Sequence, residues 1–181
     1  MADPDIDPTL AAALGFPKLK YAWVERERRW LCRDVPMDRV ADAWTITDLY
    51  VTGAHLRLRE AIPLAGGEPM RRLTRKGDVD AATRLLTSIY LAEAEFVMLA
   101  NALTGRTLRK IRHHLHAENG VVVSVDRFEG PLAGLILAEA EFDIAAALAA
   151  FPTPDFAVRE VTDDPRYGGG ALASNGLPVE A

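Results

Sequence analysis

Residues 21–31 read YAWVERERRWL, and the alternation of charged and apolar residues in this stretch decides the fold. Successive side chains of a β-strand point to opposite faces, so Glu25, Glu27 and Arg29 share one face of the strand that we predict here. The alternation is too even for a helix, whose apolar residues recur every three or four positions. The stretch therefore predicts a β-strand with one strongly charged face.

Charged residues recur at strand spacing along the rest of the chain. Residues two or four positions apart, which share a face of a strand, form four further pairs: Arg57 and Arg59, Arg72 and Lys76, Lys110 and Arg112, and Glu139 and Glu141. The opposite faces are mostly apolar, so the core is expected on that side. An ordinary sheet with one face in water explains any single strand. Acids on two strands and bases on at least three together favour a closed sheet that aims all of these charges inward.

The remaining pattern predicts about eight strands and few helices. Strands are expected at residues 21–31, 45–51, 55–62, 70–76, 83–90, 107–116, 121–128 and 132–143, with a turn at Asn119-Gly120 and helices at 92–103 and 144–151. Strands without regularly interposed helices favour antiparallel pairing over βαβ units. We predict an α+β fold, an eight-stranded antiparallel β-barrel with helices packed outside, over residues 19–175. Residues 1–18 and 176–181 are expected to form a flexible arm and tail, and the glycines at 168–170 a mobile segment.

Composition excludes several classes of protein. The formal net charge is -5, with 21 basic and 26 acidic residues, so no overall positive field attracts nucleic acid. No apolar run approaches the roughly eighteen residues of a membrane-spanning helix. The single cysteine, Cys32, cannot form a disulfide within the chain, and the first residues lack the pattern of a secretory signal. We therefore expect a cytoplasmic protein without nucleic-acid or membrane partners, and its oligomeric state stays open.

The predicted interior carries more positive than negative charge. It contains eight bases and four acids: Arg29, Arg57, Arg59, Arg72, Lys76, Arg84, Lys110 and Arg112, with Glu25, Glu27, Glu139 and Glu141. A surplus of positive charge in a partly desolvated space favours a compact polyanion. The carboxylates are hard oxygen ligands for Mg²⁺ or Mn²⁺, and such ions typically bridge protein carboxylates and phosphate oxygens. The residues therefore predict metal-assisted chemistry on a phosphate chain.

The sequence resembles the CYTH superfamily, the triphosphate tunnel metalloenzymes, and in particular its short bacterial inorganic triphosphatases. The hallmark of the superfamily is Glu-x-Glu-x-Lys on the first strand, and this chain reads Glu25-Arg26-Glu27-Arg28-Arg29. Further matches within residues 21–175 are Tyr50, Arg57-Leu58-Arg59, Lys76, Lys110-Ile111-Arg112, and Glu139 with Glu141. The resemblance implies an eight-stranded antiparallel tunnel with helices packed outside it.

The resemblance also implies roles for these residues. The implied metal ligands are Glu25, Glu27, Glu139 and Glu141. The implied phosphate-binding residues are Arg57, Arg59, Lys76, Arg84, Lys110 and Arg112. Tyr50 matches a tyrosine that partners the motif lysine in the short bacterial members, so Tyr50 and Arg29 are expected to be catalytic. Asp126 is expected to enter the tunnel or to pair with one of its arginines.

The chain departs from the superfamily pattern at two points. Arg29 replaces the motif lysine, and because an arginine does not lose its proton near neutral pH, we expect Arg29 to orient water or bind phosphate. Leu86 and Ser88 stand where related short members carry acids, which weakens one of two metal sites. A single ion still supplies a Lewis acid and an activated water.

The expected function is the metal-dependent hydrolysis of a small-molecule triphosphate, namely inorganic tripolyphosphate to pyrophosphate and phosphate, with Mg²⁺ or Mn²⁺. Two alternatives remain. A class IV type adenylyl cyclase uses the same tunnel and metal but lets the ribose 3′-hydroxyl attack in place of water. A non-catalytic module that binds polyphosphate or nucleotide would also account for Arg29 and for the absence of acids on the fifth strand.

Overall fold

Eight antiparallel strands close into a β-barrel in this computed structural model, which describes residues 6–117 and 120–179. The strands are β1 (Trp23–Cys32), β2 (Val40–Val51), β3 (Leu56–Pro63), β4 (Met70–Asp78), β5 (Thr83–Tyr90), β6 (Gly105–Leu115), β7 (Val123–Phe128) and β8 (Ile136–Phe142). Neighbours pair in the order β5-β4-β3-β2-β6-β7-β8-β1, and pairing of β1 with β5 closes the ring. The predicted eight-stranded antiparallel barrel is confirmed.

The register of β1 explains why the charged faces meet inside the barrel. Glu25 lies opposite Arg84 of β5, and Glu27 lies opposite Glu141 of β8. Because directly paired residues point to the same side of a sheet, the charged faces of these three strands converge. A short ninth strand, β9 (Ala157–Glu160), pairs with the end of β1 and lies outside the ring of eight.

The main apolar core lies on the outer face of the barrel, as the alternation predicts. Trp30, Val125 and Ala138 are fully buried there. Helix α3 (Ala145–Ala150) covers this face, and the Phe151 ring lies 6.0 Å from the Trp30 ring. The inward faces of the same strands are thereby left for charged residues.

The N-terminal segment differs from the expected loose arm over its described part. Helix α1 (Pro8–Ala13) begins after Asp7, whose carboxylate accepts a hydrogen bond from the Thr9 amide at 2.7 Å. Ile6 and Phe16 are buried against Leu85, on the outer face of β5. The segment is ordered because these apolar side chains cover a strand that would otherwise face water.

The glycine-rich segment at 168–170 also differs from its expectation, since it leads into helix α4 (Gly169–Asn175). Leu172 of α4 is buried against Leu108 and Leu137, which lie on the inward faces of β6 and β8. The helix is ordered by this contact, and it packs into one end of the barrel.

The remaining elements agree with the sequence in type and differ in their bounds. Helix α2 (Glu93–Ala102) forms as predicted, while β2 begins at Val40 because its pairing with β6 continues to Leu115. The turn predicted at Asn119-Gly120 includes a residue outside the described ranges. No helix within residues 6–117 and 120–179 is both long and apolar enough to cross a membrane.

Candidate functional site

The barrel encloses a cavity of about 600 Å³. Every residue for which the sequence implied a catalytic, metal-binding or phosphate-binding role lines this cavity: Glu25, Glu27, Arg29, Tyr50, Arg57, Arg59, Lys76, Arg84, Lys110, Arg112, Glu139 and Glu141. They come from seven of the eight strands, because alternate residues of each strand point inward. The cavity therefore combines acids and bases in one enclosed space.

Three carboxylates within the cavity form a cluster, which we call the carboxylate cluster: Glu25, Glu27 and Glu141. Each offers an oxygen that lies within 4.8 Å of the other two. Like charges on directly opposed strand residues are unfavourable, and Glu27 is directly opposed to Glu141. A divalent cation bound by these hard oxygen ligands would remove that repulsion, so the residues present fit such an ion.

Electrostatics distinguish Glu141 from the other members of the carboxylate cluster. Although its side chain keeps contact with solvent in the cavity, enclosure by the barrel raises its pKa, and the neighbouring carboxylates of Glu25 and Glu27 add to this rise. Glu25, in contrast, accepts a hydrogen bond from Lys76 Nζ at 2.6 Å. Glu141 is thus the member whose negative charge is least compensated by the protein.

Glu139 lies apart from the carboxylate cluster, although the resemblance implied a metal ligand here. Its carboxylate pairs with Arg112 and lies 3.5 Å from Arg29 Nε. Burial acts to raise the pKa of Glu139, but Lys110, Arg112 and Arg29 hold it well below its usual range. Among the described residues, Glu139 therefore holds the side chains of Arg112 and Arg29 in place.

Arginines also hold Glu27. One of its oxygens accepts hydrogen bonds from both Arg29 and Arg84. Arg84 reaches further to Asp78 at 2.9 Å, near the end of β4. The guanidinium of Arg29 therefore connects Glu27 on β1 with Glu139 on β8, and these acids raise its pKa despite its burial. Arg29 stays charged and cannot act as a general base.

Two further acids are fully buried beside the cavity. Asp126 accepts hydrogen bonds from Lys110 and, at 2.8 and 2.6 Å, from Arg112, which confirms the expected pairing. Asp48 was missed by the sequence analysis; it accepts a bidentate hydrogen bond from Arg59 at 2.6 and 2.7 Å. With both acids counted, the positive surplus of the interior falls from four to two. The spacing of Asp48 two residues before Tyr50, on the same face, was the available signal.

Three arginines that line the cavity have an Nε atom that is buried without a hydrogen-bond partner among the described residues: Arg29, Arg57 and Arg72. Arg29 Nε still lies 3.5 Å from a carboxylate oxygen of Glu139, and Arg57 Nε lies 3.6 Å from one of Asp48. Burial and the proximity of Arg59 and Arg57 lower the pKa of Arg72 to about 10. Because a buried donor without an acceptor is costly, these atoms favour an anionic ligand. The sequence placed Arg72 inside the barrel but gave it no role.

Tyr50 lies between the cavity and α4. Its hydroxyl is in contact with Gly169, where a Cβ atom would come within 2.0 Å of it. Burial and the nearby Asp48 carboxylate raise the pKa of Tyr50 to about 12. Tyr50 therefore remains a neutral phenol at ordinary pH and can donate a hydrogen bond.

Comparison with known proteins gives relatives of both sequence and fold. An inorganic triphosphatase from Nitrosomonas europaea is 33% identical over 153 residues, which cover 82% of this chain and 96% of the relative. The crystal structure of the inorganic triphosphatase NE1496 is 30% identical with a TM-score of 0.56, over 82% of this chain and 93% of that one. The PH1819 protein of Pyrococcus horikoshii OT3, 21% identical with a TM-score of 0.53 over 69% of this chain and 82% of its own, shares the fold. No family model matches the chain.

Proposed function

The chain belongs to the family of the inorganic triphosphatases, within the CYTH superfamily of triphosphate tunnel metalloenzymes, and from this premise we propose the reaction of its cavity. The protein hydrolyses inorganic tripolyphosphate to pyrophosphate and phosphate inside the barrel. The observation that carries the proposal is that one cavity joins the carboxylate cluster to buried arginine donors without a hydrogen-bond partner among the described residues. Such a cavity suits a divalent cation and a polyphosphate held side by side.

The carboxylate cluster would hold one Mg²⁺ or Mn²⁺ through Glu25, Glu27 and Glu141. Their oxygens lie close enough together to share an ion, and Glu141 has no cationic partner of its own among the ion pairs of the described residues. A bound ion supplies a Lewis acid for phosphate oxygens and lowers the pKa of a water molecule. Glu139 is left out of this set because it is not among the carboxylates whose oxygens lie within 4.8 Å of one another, and because arginines lie next to both of its oxygens.

The bases around the cavity would bind the phosphate oxygens. The proposed set comprises Arg57, Arg59, Lys76, Arg84, Lys110 and Arg112, with Arg72 added on the strength of its free donor. Planar guanidinium groups suit phosphate because they donate two parallel hydrogen bonds. The buried acids Asp48 and Asp126 fix Arg59 and Arg112 in place, so that these donors are oriented before substrate arrives.

Hydrolysis forms a bond between a water oxygen and the terminal phosphorus, and breaks the bridging P–O bond so that pyrophosphate leaves. Arg29 keeps Glu27 and Glu139 in position and cannot accept the proton of that water. Tyr50, held neutral beside Arg57, would donate its hydroxyl hydrogen to a phosphate oxygen of the substrate. The protein accelerates the reaction mainly by positioning charges before the transition state forms.

The test is phosphate release from tripolyphosphate by the purified protein with Mg²⁺, with Mn²⁺ and with a chelator. We expect metal-dependent release, which Glu25→Gln lowers at least about 100-fold because a ligand of the ion is lost. The matched control is Glu93→Gln, since the Glu93 side chain is 75% exposed on α2. Cyclic AMP formed from ATP would favour a cyclase, and metal-dependent triphosphate binding without turnover would favour a binding module.

A further inference from the structure

The segment that precedes β1 packs against the outside of the barrel, behind the carboxylate cluster. We call residues 6–19 of this segment the N-terminal strap. Its side chains Ile6, Ala11 and Phe16 are buried, and they form an apolar cluster with Leu85 of β5. The strap is therefore fixed to the barrel by apolar packing.

The N-terminal strap covers a row of residues that crosses three strands. Gly77 of β4 lies directly opposite Leu85 of β5, and Leu85 lies directly opposite Val24 of β1. A Cβ atom at Gly77 would come within 2.9 Å of the Phe16 ring and within 3.2 Å of Leu14 Cβ, so the strap lies directly on the backbone there. Leu85 is fully buried, and Val24 packs against the same apolar cluster. The strap thus connects the outer faces of β4, β5 and β1.

Each member of this row is the chain neighbour of a residue of the site. Adjacent residues of a strand point to opposite faces, so the neighbours of Gly77, Leu85 and Val24 that point into the cavity are Lys76, Arg84 and Glu25. Lys76 donates a hydrogen bond to Glu25 at 2.6 Å, and Arg84 donates one to Glu27. The strap therefore packs behind the two bases that hold two members of the carboxylate cluster.

A polar contact holds β4 on the other side of Lys76. The Arg75 guanidinium donates a hydrogen bond to the Leu14 carbonyl at 3.0 Å, and its central carbon lies 5.6 Å from the centre of the Phe16 ring. Gly15 has a φ of +87°, and a Cβ atom there would lie 2.1 Å from Arg75 Nη2, so only glycine fits between the two contacts. Both chain neighbours of Lys76 are thus held from outside by the strap.

The N-terminal strap also covers the seam of the barrel, which is the pairing of β1 with β5 that closes the ring. This pairing is short and joins residues 23–26 to residues 83–86. The hydrogen bonds of Lys76 and Arg84 cross the seam, because the two bases lie on β4 and β5 and their glutamates lie on β1. A shift at the seam would move the cations relative to the carboxylates, and a misplacement of about 1 Å at a reacting site can cost about 100-fold in rate.

We propose that the N-terminal strap positions the carboxylate cluster for its divalent ion, and that it acts through Lys76 and Arg84. None of the strap residues, all of which the structure describes, lines the cavity, so they are positioning residues. The inference rests on the proposed function, because it assumes that the carboxylate cluster binds Mg²⁺ or Mn²⁺. Groups that orient metal ligands typically contribute about 10- to 100-fold to metal affinity, so a loosened strap should weaken metal binding first.

The experiment measures Mn²⁺ binding to the wild type, Phe16→Ala and Gly77→Ala by calorimetric titration, at a temperature well below the Tm of each. We expect either substitution to weaken Mn²⁺ binding about tenfold, because one removes the ring behind Lys76 and the other displaces it. At saturating Mn²⁺, kcat for tripolyphosphate should stay within about threefold of the wild type, since the strap does not touch the reacting atoms. Phe16→Leu should keep most of the Mn²⁺ affinity, because it preserves an apolar side chain in the cluster.

Leu115→Ala is the matched control. Leu115 is buried in the apolar core on the outer face of β6, in a different cluster from Phe16. Its truncation should lower the Tm, as Phe16→Ala does, because both remove buried apolar contacts. Its Mn²⁺ affinity should equal that of the wild type, since a smaller folded fraction lowers the amount of Mn²⁺ bound and not the affinity of the folded protein.

The outcomes separate this inference from the proposed function. Wild-type Mn²⁺ affinity in Phe16→Ala and Gly77→Ala would overturn the inference and leave the proposed function intact; if Phe16→Ala does not fold, Gly77→Ala decides. An equal loss of affinity in Leu115→Ala would also overturn it, because the effect would follow stability alone. If the wild type binds Mn²⁺ but releases no phosphate from tripolyphosphate, the proposed reaction fails, and the Mn²⁺ affinities of the same variants still decide the role of the strap. A wild type that binds no Mn²⁺ would overturn both.

Discussion

At the scale of single residues, Arg29 is the most informative departure from the superfamily motif. Its guanidinium contacts Glu27 and Glu139 on adjacent strands through different nitrogen atoms, a geometry that suits a planar fork of five N–H donors. The residue thus cannot accept a proton, and it holds two carboxylates in place. Water activation would then fall to the divalent ion that we propose for the carboxylate cluster.

Substitution of Arg29 tests this role. Arg29→Ala should lower kcat for tripolyphosphate by about 10- to 100-fold, since hydrogen bonds to charged groups contribute about 1.5–3 kcal/mol. Arg29→Lys should keep kcat within about tenfold, and its pH–rate profile should gain an ionisation, because a lysine can lose its proton. Steady-state kinetics across pH measure both effects.

The control for this prediction is Arg109→Ala, because the Arg109 side chain is 61% exposed on the outer face of β6. That variant should behave as the wild type. Full activity in Arg29→Ala would show that the bridge between Glu27 and Glu139 has no part in turnover.

Individual residues also show how far the sequence could predict the site. Strand alternation placed Glu25, Arg57 and Lys110 inside the barrel, because period two leaves no choice once the core face is known. Alternation alone could not show that Glu139 lies apart from the carboxylate cluster. Its place depends on the arginines that contact its carboxylate, and the sequence does not give those contacts. Asp48 was missed because it is the only charged residue of the strand predicted at 45–51, so it has no like-charged partner at strand spacing there.

At the scale of elements, α4 shows what tertiary contact adds to a sequence. Three successive glycines predict mobility, yet the segment forms a helix because Leu172 is buried in one end of the barrel. A residue without a Cβ atom is required where the helix begins, since the Tyr50 hydroxyl lies against Gly169. The strands, in contrast, could be predicted without knowledge of tertiary contacts, because the alternation of charged and apolar residues is local and repeats in each strand.

Two neighbouring glycines of α4 provide a matched test. Gly169→Ala should disturb the site, because its Cβ atom would lie 2.0 Å from the Tyr50 hydroxyl, and we expect it to cost about 1–3 kcal/mol of stability. Gly170→Ala places its Cβ 3.5 Å from the Tyr50 ring, an ordinary contact, and should be neutral or slightly stabilising. Urea denaturation and tripolyphosphate kinetics measure both. Equal behaviour of the two variants would argue against the packing of Tyr50 on α4.

At the scale of the whole molecule, the barrel holds an interior of mixed charge that the fold must stabilise against burial. Buried acids with arginine partners, such as Asp48 and Glu139, have a lowered pKa. They contribute stability above the pKa they have in the unfolded chain, and this stability is lost as pH falls through the folded pKa. Glu141 has a raised pKa and acts in the opposite sense, destabilising the fold at pH above both of its pKa values. The ionised Glu141 carboxylate therefore lowers the stability of the fold, and the buried acids that pair with arginines offset this loss.

This opposition predicts effects of opposite sign for two neighbouring glutamates of β8. At pH 7 with a chelator, Glu141→Gln should raise the free energy of unfolding by up to about 1 kcal/mol, because it removes repulsion with Glu25 and Glu27. Glu139→Gln should lower it by about 1.5–3 kcal/mol, because Arg112 and Arg29 lose a charged acceptor.

Adding Mn²⁺ should raise the Tm of the wild type and of Glu139→Gln, because an ion that binds only the folded state stabilises that state. The Tm of Glu141→Gln should rise much less. Thermal and chemical denaturation with and without Mn²⁺ measure these shifts. A loss of stability in Glu141→Gln with the chelator would contradict the repulsion among the three carboxylates. A Mn²⁺ response in Glu141→Gln equal to that of the wild type would mean that the carboxylate cluster is not the metal site.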